Sequence, residues 1–286
     1  MRKLAFLIDE IDNSKELIRF AALLGKDINA RVHVLYFQNT LYSYGGDGLT
    51  GTEIPPDPEL YQKLSDDIKE KVAGFIKEIE AEHTGISPIE FRSEIGDASL
   101  TLKEKVENKT YDILMLQGHS EQDFWLQDSV NMNVVRNVPC PVYIIPPDAR
   151  YQPMRKIIYA TDYNEEDIAT LKKLIELTKP FDPEILALHI SNDDEFEKQL
   201  MSEGFAALLR EKTGYDKVTV KMIADDGEKD AVESLVNEAE KAKASLIVVL
   251  KENRNFFERL FKSSFTAQLI KEAQLPILVF DKQSGN

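Results

Sequence analysis

The sequence predicts an α/β protein built from two tandem, doubly wound parallel-sheet domains, with five strands and about four helices in each. Three observations lead there. The 286-residue chain repeats itself, short apolar runs recur along it without strict alternation, and the segments between them carry apolar residues at helical spacing. Apolar runs of that kind fit parallel strands covered on both faces, and their alternation with helical segments implies right-handed βαβ crossovers.

The repeat shows at both ends of each half. Arg2-Lys3-Leu4-Ala5-Phe6-Leu7-Ile8-Asp9 matches Arg155-Lys156-Ile157-Ile158-Tyr159-Ala160-Thr161-Asp162 at an offset of 153 residues. Near the close of each half, Pro141-Val142-Tyr143-Ile144-Ile145 matches Pro276-Ile277-Leu278-Val279-Phe280 at an offset of 135, which Ser129 and Ser264 share. The shorter second offset places a longer connection in the first half, between Gln38 and Pro58. With its aromatic and glycine residues, that connection reads as a lid over the first-half mouth or as a disordered loop. Self-similarity over this length is the mark of a duplicated unit. The two domains are expected at residues 1–147 and 154–283, joined by the Pro-rich, polar stretch that begins at Pro146 and ends at Pro153.

In chain order, the first-half strands are predicted at Leu4–Ile8, Val32–Phe37, Ile89–Ile95, Ile113–Leu116 and Val142–Ile145. Their counterparts are Ile157–Thr161, Ile185–Ile190, Val218–Ile223, Leu246–Leu250 and Ile277–Phe280. Leu60, Leu64, Ile68, Val72, Phe75, Ile76 and Ile79 recur at three or four residues and predict a long amphipathic helix before the third strand. Leu171, Leu174, Ile175 and Thr178 do the same in the second half. So do Leu235, Val236 and Ala239, and then Leu269, Ile270 and Ala273.

Composition narrows the function classes. The net charge is −15. Residues 1–150 carry 25 acids and 16 bases (−9), and the remainder 25 acids and 19 bases (−6), so neither half offers a basic face to a nucleic-acid backbone. The single cysteine, Cys140, excludes an internal disulfide and reads as a small buried hydrophobe at a strand start. The N-terminal apolar run is too short for a signal-peptide core or a membrane span, so a cytoplasmic location and no membrane partner are expected. The four histidines lack zinc-ligand spacing. Gly118-His119-Ser120 is not the Gly-x-Ser-x-Gly nucleophile elbow, and neither Gly-x4-Gly-Lys-Ser/Thr nor Gly-x-Gly-x-x-Gly occurs. Asp9-Glu10 is similar to the acidic pair of phosphoacceptor receiver domains. Those also need an Asp ending the third strand and a Lys ending the fifth, whereas here stand Glu94-Ile95-Gly96 and Pro146.

A strand ending in Asp at the start of each half, Gly96-Asp97 after the third strand, and a closing Ser-x11-Pro-led strand resemble the universal stress protein family. The resemblance covers nearly the whole chain, in tandem. It implies a Rossmann-like fold of the adenine nucleotide alpha hydrolase type. It also implies a pseudo-dimer in which Pro141–Ile145 and Pro276–Phe280 pair edge to edge within one chain, and it leaves room for a further homodimer.

Ligands of open α/β sheets sit beyond the carboxyl ends of strands, which makes Asp9 and Asp162 the leading ligand-binding candidates. In nucleotide-binding relatives, the resemblance implies, this Asp contacts the adenine or ribose. An Asp there is also a natural helix cap, and Asp162-x-x-Glu165 has the form of a capping box. The nucleotide-binding branch of the family carries Gly-x2-Gly-x9-Gly-Ser/Thr after the fourth strand, where glycines let backbone N–H groups approach phosphates. Aligned from Pro276, the second half has Leu250, Asn253, Ser263 and Ser264 at those positions. The first half has Asp128 before Ser129, a shorter loop, and Gly118 one position out of register. Ser129 at the helix start Val130, and Ser263 or Ser264 at Phe265, serve equally as helix caps. Phe124-Trp125-Leu126 and the apolar residues Phe256, Phe257, Leu260 and Phe261 stand where the phosphates would go, as a small core, an apolar pocket or an interface. His189 ends the second strand of the second half, where it would line the pocket or pack the strand end.

The sequence therefore points to a non-enzymatic stress-response protein that needs no cofactor and acts by binding a protein partner or a small ligand. The alternative is an ATP- or AMP-binding protein with at most slow ATPase activity, using Asp9, Asp162, Gly118, Ser129 and Ser264.

Overall fold

The structure is a computed structural model that describes residues 1–38, 43–44, 53–54, 58–119, 126, 129–191, 195–224, 231–251 and 275–282. The first half runs β1 (Arg2–Ile8), α1 (Lys15–Asp27), β2 (Ala30–Gln38), β3 (Ser43–Tyr44), β4 (Glu53–Ile54), α2 (Pro58–Glu82), β5 (Ile89–Ile95), α3 (Ala98–Glu107), β6 (Ile113–Gln117), α4 (Val130–Asn137) and β7 (Val142–Ile145). The second half runs β8 (Lys156–Ala160), α5 (Glu165–Thr178), β9 (Glu184–Ser191), α6 (Glu195–Thr213), β10 (Val218–Ala224), α7 (Ala231–Ala242), β11 (Leu246–Leu250) and β12 (Ile277–Phe280).

Ten strands form one sheet in the order β10-β9-β8-β11-β12-β7-β6-β1-β2-β5. Within each half the order is third, second, first, fourth, fifth, and every pairing is parallel. That is the doubly wound order in which the first and fourth strands meet at a topological switch point. The one antiparallel pairing of this sheet joins the halves: Val142, Tyr143 and Ile144 of β7 face Val279, Leu278 and Ile277 of β12. The pairing expected of a pseudo-dimer is therefore made inside the chain, and it removes two edges that would otherwise invite intermolecular strand pairing.

Position in the sheet explains the strand sequences. β7 and β12 lie at its centre, every residue in both is buried, and both read as unbroken apolar runs. β5 lies at an outer edge. Its Ile-Glu-Phe-Arg-Ser alternates instead, placing Glu90 and Arg92 on the exposed border as protection against edge pairing. The reading of β5 as one more continuous apolar run is corrected accordingly.

Each face of the sheet carries one continuous core that crosses both halves. One holds residues of α1, α2, α5 and α6; the other holds residues of α3, α4 and α7. Along the predicted α2 stripe Leu64 is 48% exposed, Ile68 packs against the core, and Val72 and Ile79 are fully buried. Two features escaped the sequence reading. The long first-half connection contains the short β3–β4 hairpin, and the connection between the halves is packed down. Ala149 and Met154 are buried in the first core, and Tyr151 meets the Phe20 ring edge-on at 5.3 Å while its hydroxyl donates to Asp27. Among the described residues no helix is long and apolar enough to cross a membrane.

Candidate functional site

In the first half β1 and β6 are parallel neighbours, and they end together at the switch point. Gln117, the last residue of β6, is 1% exposed, and its Oε1 accepts from the backbone N–H groups of Asp9 (3.4 Å) and Glu10 (3.3 Å). That side chain turns the exit of β1 across the end of β6. Its Nε2 is buried with no partner among the described residues. The next residue, Gly118, passes so close to β7 that its N–H donates to the Ile145 carbonyl at 2.7 Å, and a Cβ there would stand 2.7 Å from the same oxygen.

Gly118 therefore has a packing reason to be glycine, whatever it does for a ligand. Gly118→Ala is expected to cost about 1–3 kcal/mol by forcing two backbones apart, read as a lower urea midpoint. An unchanged midpoint would show that the close approach relaxes freely.

His119 then turns back over Asp9. Its imidazole Nε2 donates to Asp9 Oδ2 at 2.8 Å, its Nδ1 lies 3.8 Å from Glu10 Oε1, and its side chain is only 4% exposed. The sequence reading ranked Asp9 first but set His119 aside as one of four scattered histidines. Its place directly after the fourth strand, opposite the first-strand aspartate, was the signal that could have found it.

The candidate Ser129 and the family-marker residue Asp97 both act as helix caps. Ser129 Oγ accepts from the Met132 N–H at 3.2 Å and caps α4, whose first residue, Val130, is 43% exposed. Gly96, at a φ of 126° that favours glycine, lets Asp97 cap α3 by accepting from the Leu100 N–H at 2.8 Å.

The second-half mouth has the same plan with different chemistry. Asp162 follows β8, but it does not cap α5, so the expected Asp162–Glu165 capping box is corrected. The N-cap is Asn164, and the reciprocal residue is Asp167. Asp167 is fully buried and accepts from the Tyr159 hydroxyl (2.7 Å), the Thr161 hydroxyl (2.8 Å) and the backbone N–H groups of Asp162 (3.1 Å) and Asn164 (3.0 Å). Its position is legible only in three dimensions, because the donors come from β8 and the turn after it.

Between Asp162 and Asn164, Tyr163 adopts a φ of 59°. Its ring lies 4.5 Å from the His189 ring and 4.8 Å from that of Phe205. His189 Nδ1 donates to the Thr161 carbonyl at 2.6 Å and stands 3.8 Å from Asp162 Oδ1. Each strand-end aspartate thus has a histidine at its side, delivered by the fourth strand in one half and by the second strand in the other.

Lys251 is the counterpart of Gly118. Its N–H donates to the Phe280 carbonyl at 3.0 Å, as that of Gly118 does to Ile145. Its ammonium, on a side chain only 9% exposed, reaches the Val138 carbonyl of the first half (2.8 Å) and Asp281 (3.1 Å). Val138 ends α4, so the cation also meets the negative end of that helix. Cys140 nearby is buried, and burial pushes its thiol up to about 12.

Ser263, Ser264, Phe265, Phe124, Trp125 and the apolar residues at 256–261 lie outside the described residues, as does most of the 38–58 connection. Among the described residues no group of three or more His, Cys, Asp or Glu side chains is placed to hold a metal ion.

Comparison with known proteins agrees with this fold. The model of the universal stress protein family matches residues 1–146 and again 153–281. A universal stress protein of Methanocaldococcus jannaschii is 29% identical over 140 residues, covering 45% of this chain and 82% of the relative. One from Synechocystis is 20% identical over 297 residues, covering 98% of this chain and all of the relative. The crystal structure of a universal stress protein from Archaeoglobus fulgidus superimposes with a TM-score of 0.69 at 17% identity, over 98% of this chain and 96% of that one.

Proposed function

The chain belongs to the universal stress protein family, matched once by each half, and from that premise we propose that it serves the stress response as a non-enzymatic binding protein. It takes a partner or a small ligand at the mouth beside Asp9 and does not turn over a nucleotide.

The observation that carries this reading is the contact between His119 and Asp9. The carboxylate best placed to receive a ribose or adenine group already accepts a 2.8 Å bond from an imidazole of its own chain. A bond to a carboxylate is among the stronger hydrogen bonds, so the imidazole holds that oxygen and fixes the side chain, leaving a neutral hydroxyl only the other oxygen. Lys251 standing where the first half has Gly118 adds support from the second half. A cradle of backbone N–H groups needs residues that let phosphate come close, and that lysine is folded down onto Val138 and Asp281.

Calorimetry on the full chain tests the proposal. ATP and AMP are each expected to bind more weakly than about 1 mM, with no phosphate released from ATP. Micromolar binding of either nucleotide, lost in Asp9→Ala or Asp162→Ala, would overturn it in favour of a nucleotide-binding protein.

A further inference from the structure

The internal two-fold relation between the halves is broken where the chain crosses from one to the other. Burial in α1 and α5 repeats at the 153-residue offset: Leu17, Ile18, Ala21, Leu24 and Gly25 correspond to Thr170, Leu171, Leu174, Leu177 and Thr178, all buried. Two positions depart from the pattern: buried Ala22 corresponds to partly exposed Ile175, and an aromatic ring gives way to a charged chain at the other. Phe20 is buried at 4% exposure, whereas its counterpart Lys173 is partly exposed. Phe20 is where Tyr151 of the connecting segment packs. The halves are joined once, so the connection fills that position on one side of the junction. Beside Lys173 the structure holds an open cleft of about 490 Å³ between the start of the first-half strands and α5.

We propose that this junction cleft binds a small zwitterion of the amino-acid or betaine class. Its volume falls within the range of small-molecule sites. Its floor is apolar, made by Ile113 and Cys140 of the first half and Leu177 and Phe280 of the second. Around it stand three cations, Arg2, Lys109 and Lys173, and three acids, Glu107, Asp112 and Glu176. A ligand with net charge of either sign meets as much repulsion as attraction there. A molecule carrying both charges on an apolar body can satisfy both sets at once.

Some of those charges are already engaged. Arg2 faces Glu176 at 3.6 Å, Asp112 accepts from the Lys3 N–H, and Lys173 donates to the Lys282 carbonyl. Glu107 and Lys109 have no side-chain partner among the described residues, and both are exposed. They are the pair left over for the ligand's ammonium and carboxylate. The cleft draws on both halves, so its occupant ties the two together and raises the stability of the folded chain by mass action.

The test is a thermal-shift panel of the twenty protein amino acids and glycine betaine on the full chain, followed by calorimetry on those that raise Tm. One or more zwitterions are expected to bind with one site per chain. The matching amine and the matching carboxylate of the same skeleton should bind at least about tenfold more weakly. Glu107→Gln and Lys109→Asn, both at exposed positions, should each weaken binding by a similar factor, and asparagine tolerates the left-handed backbone of Lys109 (φ 56°). Asp9→Ala should leave binding intact, which separates this site from the mouth beside Asp9. The proposal is overturned if no zwitterion shifts Tm, if binding survives both cleft variants, or if AMP or inorganic phosphate proves to be the ligand those variants lose.

Discussion

Tyr143→Ala is expected to lower the unfolding free energy by about 3–5 kcal/mol, the usual range for removing a buried aromatic ring. Tyr143 sits at the middle of the ten-stranded sheet, with Met115 of β6 on one side and Leu278 of β12 on the other. It is fully buried, its hydroxyl donates to the Met154 sulfur at 3.9 Å, and burial holds its phenol far above the ordinary range. It also belongs to the core that crosses from one half to the other. The loss should therefore change the form of unfolding as well as its midpoint. Urea titration followed by circular dichroism and by tyrosine fluorescence should give one coincident transition for the parent chain and separated transitions for the variant. A single transition displaced by less than about 1 kcal/mol would show that the β7–β12 contact is not what couples the halves.

Asp167→Ala should cost about 3 kcal/mol or more, despite removing only a carboxylate. Four donors converge on that group, and two of them are backbone N–H groups in the turn that leads from β8 into α5. A buried donor left without an acceptor costs about 1–3 kcal/mol, and Tyr159, whose hydroxyl is one of the four, is itself fully buried. Asp167→Asn should fall between parent and alanine variant, because one carbonyl oxygen replaces two. The equivalent residue of the first half, Ser14, donates its hydroxyl to the Ile11 carbonyl, and Ser14→Ala should be the milder change. If urea unfolding places the two alanine variants within about 0.5 kcal/mol of each other, the carboxylate is no hub.

These residues mark the limit of what was legible beforehand. β7 and β12 could be read as buried strands because four consecutive apolar residues have no solvent face, and Asp9 and Asp162 could be placed at strand ends because each closes an apolar run. Ser129 could be read as a cap from its position before Val130. Asp167 could not be separated from Glu165 and Glu166, since three acids in one helical turn look alike until the fold buries one of them. His119 could not be joined to Asp9, 110 residues away, until β1 and β6 became neighbours.

By itself the sequence determined the duplication, the α/β class, the order of strands and helices, and the acidic charge. Each of those follows from local apolar periodicity and composition, which act over a few residues at a time. The join of the two sheets at β7 and β12 was expected from the family resemblance and is made as expected. Only the tertiary structure decided that one mouth pairs an aspartate with an imidazole while the other sets Tyr163 against His189, and that the connecting segment fills one side of the junction and leaves a cleft on the other. Those outcomes depend on which distant segments exclude water together. Burial and hydrogen-bond satisfaction are properties of the assembled chain, and no stretch of residues carries them alone.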